Sequence, residues 1–165
     1  MVAEIRTALV AVHIFLAIVW VGGVLFIGWG VYPAMKHLPV GRRREVFRAL
    51  LAWVHTPFTA AGTGVILTGV LLGTTLGPIR GWSDLGTAYG RIWLTALIIA
   101  VVTVVWGSTV GYRLSMGIFR DDSLWSQAEQ GDDRPLKRAM GRIAAVESAE
   151  VAGFAALIVC MVLLG

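Results

Sequence analysis

The chain has 165 residues, of which 57% are hydrophobic and only 15% charged, with a formal net charge of +4. Soluble domains carry about 25% charged residues, so composition excludes an ordinary water-soluble fold, and the mean hydropathy of +0.77 agrees. One cysteine, Cys160, excludes an intrachain disulfide and any multi-cysteine zinc or iron–sulfur site.

Residues 7–35 contain no Lys, Arg, Asp or Glu, and neither do 49–79 or 92–112. A fourth apolar stretch, about 139–165, holds two acids, Glu147 and Glu150. A membrane-spanning helix needs about 20 apolar residues, and backbone groups in hydrocarbon must be satisfied within the segment. The expected fold is therefore all-α: a polytopic membrane four-helix bundle, one domain over 1–165, with helices at about 6–34, 47–77, 90–115 and 139–164. The start, "MVAEIRTALV", lacks a basic leader and a small-residue cleavage site, so the first stretch reads as a retained helix.

The first connection, "KHLPVGRRREVFR", carries Lys36, Arg42, Arg43, Arg44 and Arg48. The third runs from Arg113 to Arg142 and adds Arg120, Arg134, Lys137 and Arg138. The opposite side holds only Arg6, Arg80 and Arg91. Basic loops stay in the cytoplasm, so both termini are expected on the outer, periplasmic or extracellular, side of the inner or plasma membrane. The positive charge is a topology signal and a contact for lipid headgroups; it gives no reason to invoke nucleic acid. The short second connection, "GPIRGWSDLGTAYG", reads as an outer turn. The third, with Gly131 and Pro135 as helix breakers, reads as a partly ordered surface segment. Gly69, Gly73 and Gly77, like Gly107 and Gly111, recur every four residues and suggest close helix seams; the alternative is close approach to a flat cofactor.

His13 enters from the outer side and His55 from the inner side. At 1.5 Å rise per residue and a core of about 30 Å, their depths differ by roughly 15–18 Å. One iron is therefore not expected to take both. Glu147 and Glu150 lie about as deep as His55 and, at i and i+3, share a helix face. Carboxylates in a membrane are costly and should face partners; His55, Arg113 and Arg142 are the candidates. The bland reading is a buried ion-pair or hydrogen-bonded cluster. The functional ones are a metal site for iron, manganese or zinc and a proton relay, for which histidine is suited. At the outer level Cys160 and Met161 approach the depth of His13, a donor set suited to copper(I), or with His and Met to haem iron; the alternative is plain packing for Cys160 and Met161, and for His13 a hydrogen bond to a backbone or hydroxyl group. His37, in the basic loop, reads as a solvated surface residue.

Trp29, Trp53, Trp82, Trp93 and Trp125 fall near expected interfaces, where indoles settle. Trp20 and Trp106 lie deeper and read as core. Arg6, Arg80 and Arg91 are placed to hold haem propionates at the outer face, and interfacial snorkelling explains them equally.

The stretch "HIFLAIVWVGGVLFIGWGVYPAMKHLP" (13–39) and, loosely, "TPFTAAGTGVILTGVLLG" resemble the CopD-like membrane proteins and the related HemJ-type protoporphyrinogen oxidases. That resemblance implies a four-helix core associated with b-type haem or with copper, and for His13 a role at haem. The lysine those oxidases carry in the third span has no counterpart in "RIWLTALIIAVVTVVWGSTVGYR". The expected function is a membrane haem b protein in electron transfer or oxidation, with His13, and His55 at a second site, as iron ligands and Arg91 beside the cofactor. The alternatives are a copper or other metal-ion transport protein using His13, Cys160 and Met161 outside and His55, Glu147 and Glu150 inside, and a small subunit anchoring a larger respiratory or photosynthetic complex. Expected partners are membrane lipid, a redox partner, and a second copy or a larger membrane assembly. No motif in the sequence requires turnover.

Overall fold

The computed structural model describes residues 1–164. Four of its helices are long and apolar enough to cross a membrane: α1 (Val2–Met35), α2 (Val40–Gly73), α3 (Ala88–Arg120) and α5 (Arg134–Leu164). A shorter helix, α4 (Asp122–Glu129), joins α3 to α5, and there is no β-strand among the described residues.

The helix boundaries follow local chemistry. Pro39 precedes α2 with extended backbone, as a residue without an N–H should at a helix entrance. Thr87 caps α3, its hydroxyl accepting from the Gly90 N–H at 3.0 Å. Asp121 caps α4 by accepting from the N–H groups of Ser123 and Leu124. Gly131 follows α4 at φ +101°, a conformation that favours glycine. Pro135 does not break a helix, contrary to expectation. It sits in the first turn of α5, where its missing N–H costs nothing.

Two further expectations change. The second span stops at Gly73 instead of about residue 77, because the chain turns back on itself there. The Leu76 N–H donates to the Leu71 carbonyl and the Ile79 N–H to that of Gly73. A Cβ at Gly77 would collide with the Leu72 and Gly73 carbonyls, so Gly77 serves the turn and no helix seam. The third connection is ordered as α4, and Trp125 on it is no interfacial indole: only 1% exposed, it donates Nε1–H to the Ile118 carbonyl at 2.9 Å.

Helix α1 packs along α2, α3 along α5, and α2 bridges the pairs through α3. One core cluster, Phe47, Phe119, Trp125, Ala128 and Leu136, seals the end that carries α4. Arg44 reinforces this end by donating to the Phe119 carbonyl at 2.9 Å and to Asp122 at 2.5 Å. The second cluster, Trp20, Ala61, Val104 and Phe154, lies within the spans, with Trp20 edge-on to Phe154 at 5.0 Å. Trp29, Trp53 and Trp82 are exposed, as indoles at a lipid–water interface are.

The spans are not uniform α-helix. α1 carries π-helical turns at Ile18–Gly22 and Ile27–Val31, and α3 carries one at Trp106–Gly111. Such turns admit an extra residue and redirect side chains, and they concentrate at functional sites. All three segments contribute residues to the cavity described next.

Candidate functional site: two polar levels between the spans

The histidines occupy separate places, as their spacing predicts. His13 is half-buried on α1 against α2, with Nδ1 2.7 Å from the Thr68 hydroxyl oxygen. Thr68 directs its own proton to the Gly64 carbonyl at 2.7 Å or to that of Val65 at 3.1 Å. A hydroxyl has one proton; with it on either carbonyl, the Thr68 oxygen accepts from Nδ1–H of the tautomer that leaves Nε2 its lone pair. Gly69 makes room for the ring: a Cβ there would stand 3.3 Å from His13 Cε1. The Trp93 indole N–H fastens the same stretch by donating to the Gly69 carbonyl at 3.1 Å.

His55 lies on α2 facing α3. Its Nε2 is 3.1 Å from the Ser108 carbonyl, within the π-helical turn. A carbonyl only accepts, so here Nε2 carries the hydrogen and Nδ1 the lone pair. The ring stacks on Tyr112, centroids 3.8 Å apart.

His55, Glu147 and Glu150 all line one partly open cavity of about 310 Å³ between the four spans. The depth argument thus brings together the groups of the inner level. The glutamates enter through glycines: a Cβ at Gly107 would lie 2.5 Å from a Glu150 carboxylate oxygen, and one at Gly111 would lie 2.9 Å from Glu147. The Gly107/Gly111 seam is real, and what fills it is carboxylate. Trp106 secures the seam by donating its indole N–H to the Val146 carbonyl at 3.0 Å. Glu150 is only 5% exposed. Glu147 and Trp20 line the same cavity.

The expected cationic partners do not appear. Among the described residues, the ion pairs all lie outside this cavity and none involves Glu147 or Glu150. Arg113 and Arg142 are exposed, because their helix positions turn them out of the bundle. The ion-pair cluster is therefore absent. Among the described residues no three His, Cys, Asp or Glu side chains converge as a metal site would require.

Cys160 is buried and Met161 is 43% exposed. Adjacent residues on a helix point about 100° apart, so the two face different surroundings. His13 makes its contacts on α2, away from α5. The Arg91 guanidinium is exposed and donates to the Gly86 carbonyl at 2.6 Å, and that of Arg80 donates to Thr75 at 3.3 Å; both tie down the loop before α3. His37 is exposed, as expected.

Sequence reasoning missed Thr68, Ser108 and Tyr112. No signal in the linear sequence marks a threonine or a carbonyl as the partner of a histidine 53 or 55 positions away. Comparison of the chain with models of known protein families, with curated proteins and with solved structures finds no match.

Proposed function

We propose that the protein is a multi-pass b-type haem protein of the inner or plasma membrane, acting in electron transfer or oxidation, with His13 as the residue that would hold the iron. The observation that carries this reading is the Thr68 contact. It holds Nδ1 in a hydrogen bond and leaves Nε2 without a protein partner on Thr68, as in haem and metal sites where the second ring nitrogen is held by a hydrogen bond. A histidine lone pair left among apolar helices is costly, and ligation to iron removes that cost. The chemistry the haem supplies is one-electron transfer at iron, its potential set by the axial ligand and by burial. The chain's part is to hold the imidazole through Thr68, to give it space at Gly69, and to exclude water with the apolar faces of α1 and α2.

In this reading the α4 end is cytoplasmic, because 11 of the 14 basic residues flank it. His13 then lies towards the outer side, where Arg91 and Arg80 would be the residues to hold propionates. α1 is the least buried span. Its outward row, Val12, Phe15, Ile18 and Phe26, is exposed and meets lipid or a neighbouring protein.

Absorption spectroscopy of the protein purified from haem-replete cells tests the reading. A Soret band and a sharp α-band on reduction are expected; a folded, colourless protein contradicts it.

A further inference from the structure

We propose that the cavity between the four spans binds a hydrophobic organic cation, with Glu147 and Glu150 as its counter-charge and aromatic side chains as its walls. This goes beyond the haem reading and does not depend on it, since His13 is not among the residues that line the cavity.

Three observations converge. The cavity holds about 310 Å³, at the small end of the range for organic ligands. Its walls are mostly apolar and aromatic, with Trp20, Phe58 and Tyr112 from three different spans. Aromatic faces attract cations, most strongly where water is excluded. Its charged groups are two carboxylates, one of them 5% exposed, and no lysine, arginine or histidine nitrogen pairs with either among the described residues. A pair of carboxylates inside an apolar bundle requires a positive charge or a shared proton. The scarcity of polar ligands and the lack of a converging set of three donors disfavour a bare metal ion. A cation carrying its own apolar surface satisfies the walls and the carboxylates together.

The other titratable groups lining the cavity are Tyr32 on α1, His55 on α2 and Tyr112 on α3. Acidification adds protons to the carboxylates, which opposes a bound cation. Protons and the organic cation are therefore competitors for one site.

The test is isothermal titration of the full purified chain in detergent with benzyltrimethylammonium. Saturable binding is expected near pH 8, weakening about tenfold or more towards pH 5. Glu150→Gln and Glu147→Gln should each weaken it by about tenfold or more at the higher pH, while His37→Ala, at an exposed loop position, leaves it unchanged. Should a glutamate variant fail to fold, the pH series on the unaltered chain decides alone. Absence of saturable binding, binding indifferent to pH, equal binding to folded Glu150→Gln, or displacement by micromolar zinc would each overturn the proposal.

Discussion

The carboxylate of Glu150 occupies the space that a side chain at position 107 would need. A Cβ added to Gly107 would come within 2.5 Å of one Glu150 oxygen and 2.7 Å of the other. Glycine on α3 is thus the condition for an acid on α5. The atoms that Cβ would meet are the far end of a flexible side chain bordering the cavity, so Gly107→Ala is expected to displace the carboxylate at about 0.5–1.5 kcal/mol, the cost of a shifted rotamer. Gly111→Ala should cost less, because the Glu147 it meets is only half-buried. Unfolding titrations in mixed micelles measure both. The double variant Gly107→Ala/Glu150→Ala should recover most of the loss, and a failure to recover would show that the glycine serves the helix backbone instead.

Thr68 is expected to act through His13. Thr68→Val removes the acceptor for Nδ1–H and leaves a buried donor, at a cost of about 1–3 kcal/mol. Thr68→Ser keeps the hydroxyl and should keep stability near that of the parent. Under the haem reading, Thr68→Val also shifts the midpoint potential while Thr68→Ser does not, because the hydrogen bond tunes the basicity of the ligand. Potentiometric titration of the three proteins separates this from a purely structural role, which would leave the potential unmoved.

The four spans were legible in the sequence because lysine, arginine, aspartate and glutamate are absent from long stretches, and hydrocarbon tolerates little else. The depth of His55, Glu147 and Glu150 was legible too, since helical rise is constant. Partners were not. Arg113 and Arg142 are near the glutamates in sequence depth, but rotation about each helix axis decides whether a side chain faces the bundle, and both are exposed. The same holds for Cys160 and Met161. The early end of α2 comes from the turn that closes through Leu76 N–H to Leu71 and Ile79 N–H to Gly73, bonds that only the folded chain makes.

Asp121 gives a pH-dependent contribution outside the spans. The Ser123 hydroxyl first, and then the Leu124 N–H, hold its carboxyl below the usual carboxylate range. A group whose folded value is depressed stabilises the fold above its unfolded value, and that contribution fades as pH falls through the folded one. Asp121→Ala should therefore lower the melting temperature at neutral pH, and the gap to the parent should shrink on acidification into and below the carboxylate range. Melting curves of the two proteins across that range check it; a gap independent of pH would mean that the ionised cap contributes nothing.

Trp125 closes the α4 end. Trp125→Ala removes a fully buried indole and is expected to cost about 3–5 kcal/mol. Trp125→Phe loses chiefly the bond to the Ile118 carbonyl and should cost about 1 kcal/mol. Denaturant unfolding followed by circular dichroism measures the difference.

The most direct test of the haem assignment is chemical rescue at position 13. His13→Gly is expected to lose the Soret band and the reduced α-band of the purified protein, and millimolar imidazole is expected to restore them, while His55→Ala keeps its bands throughout. Unchanged bands in His13→Gly, or bands lost only in His55→Ala, would contradict the account.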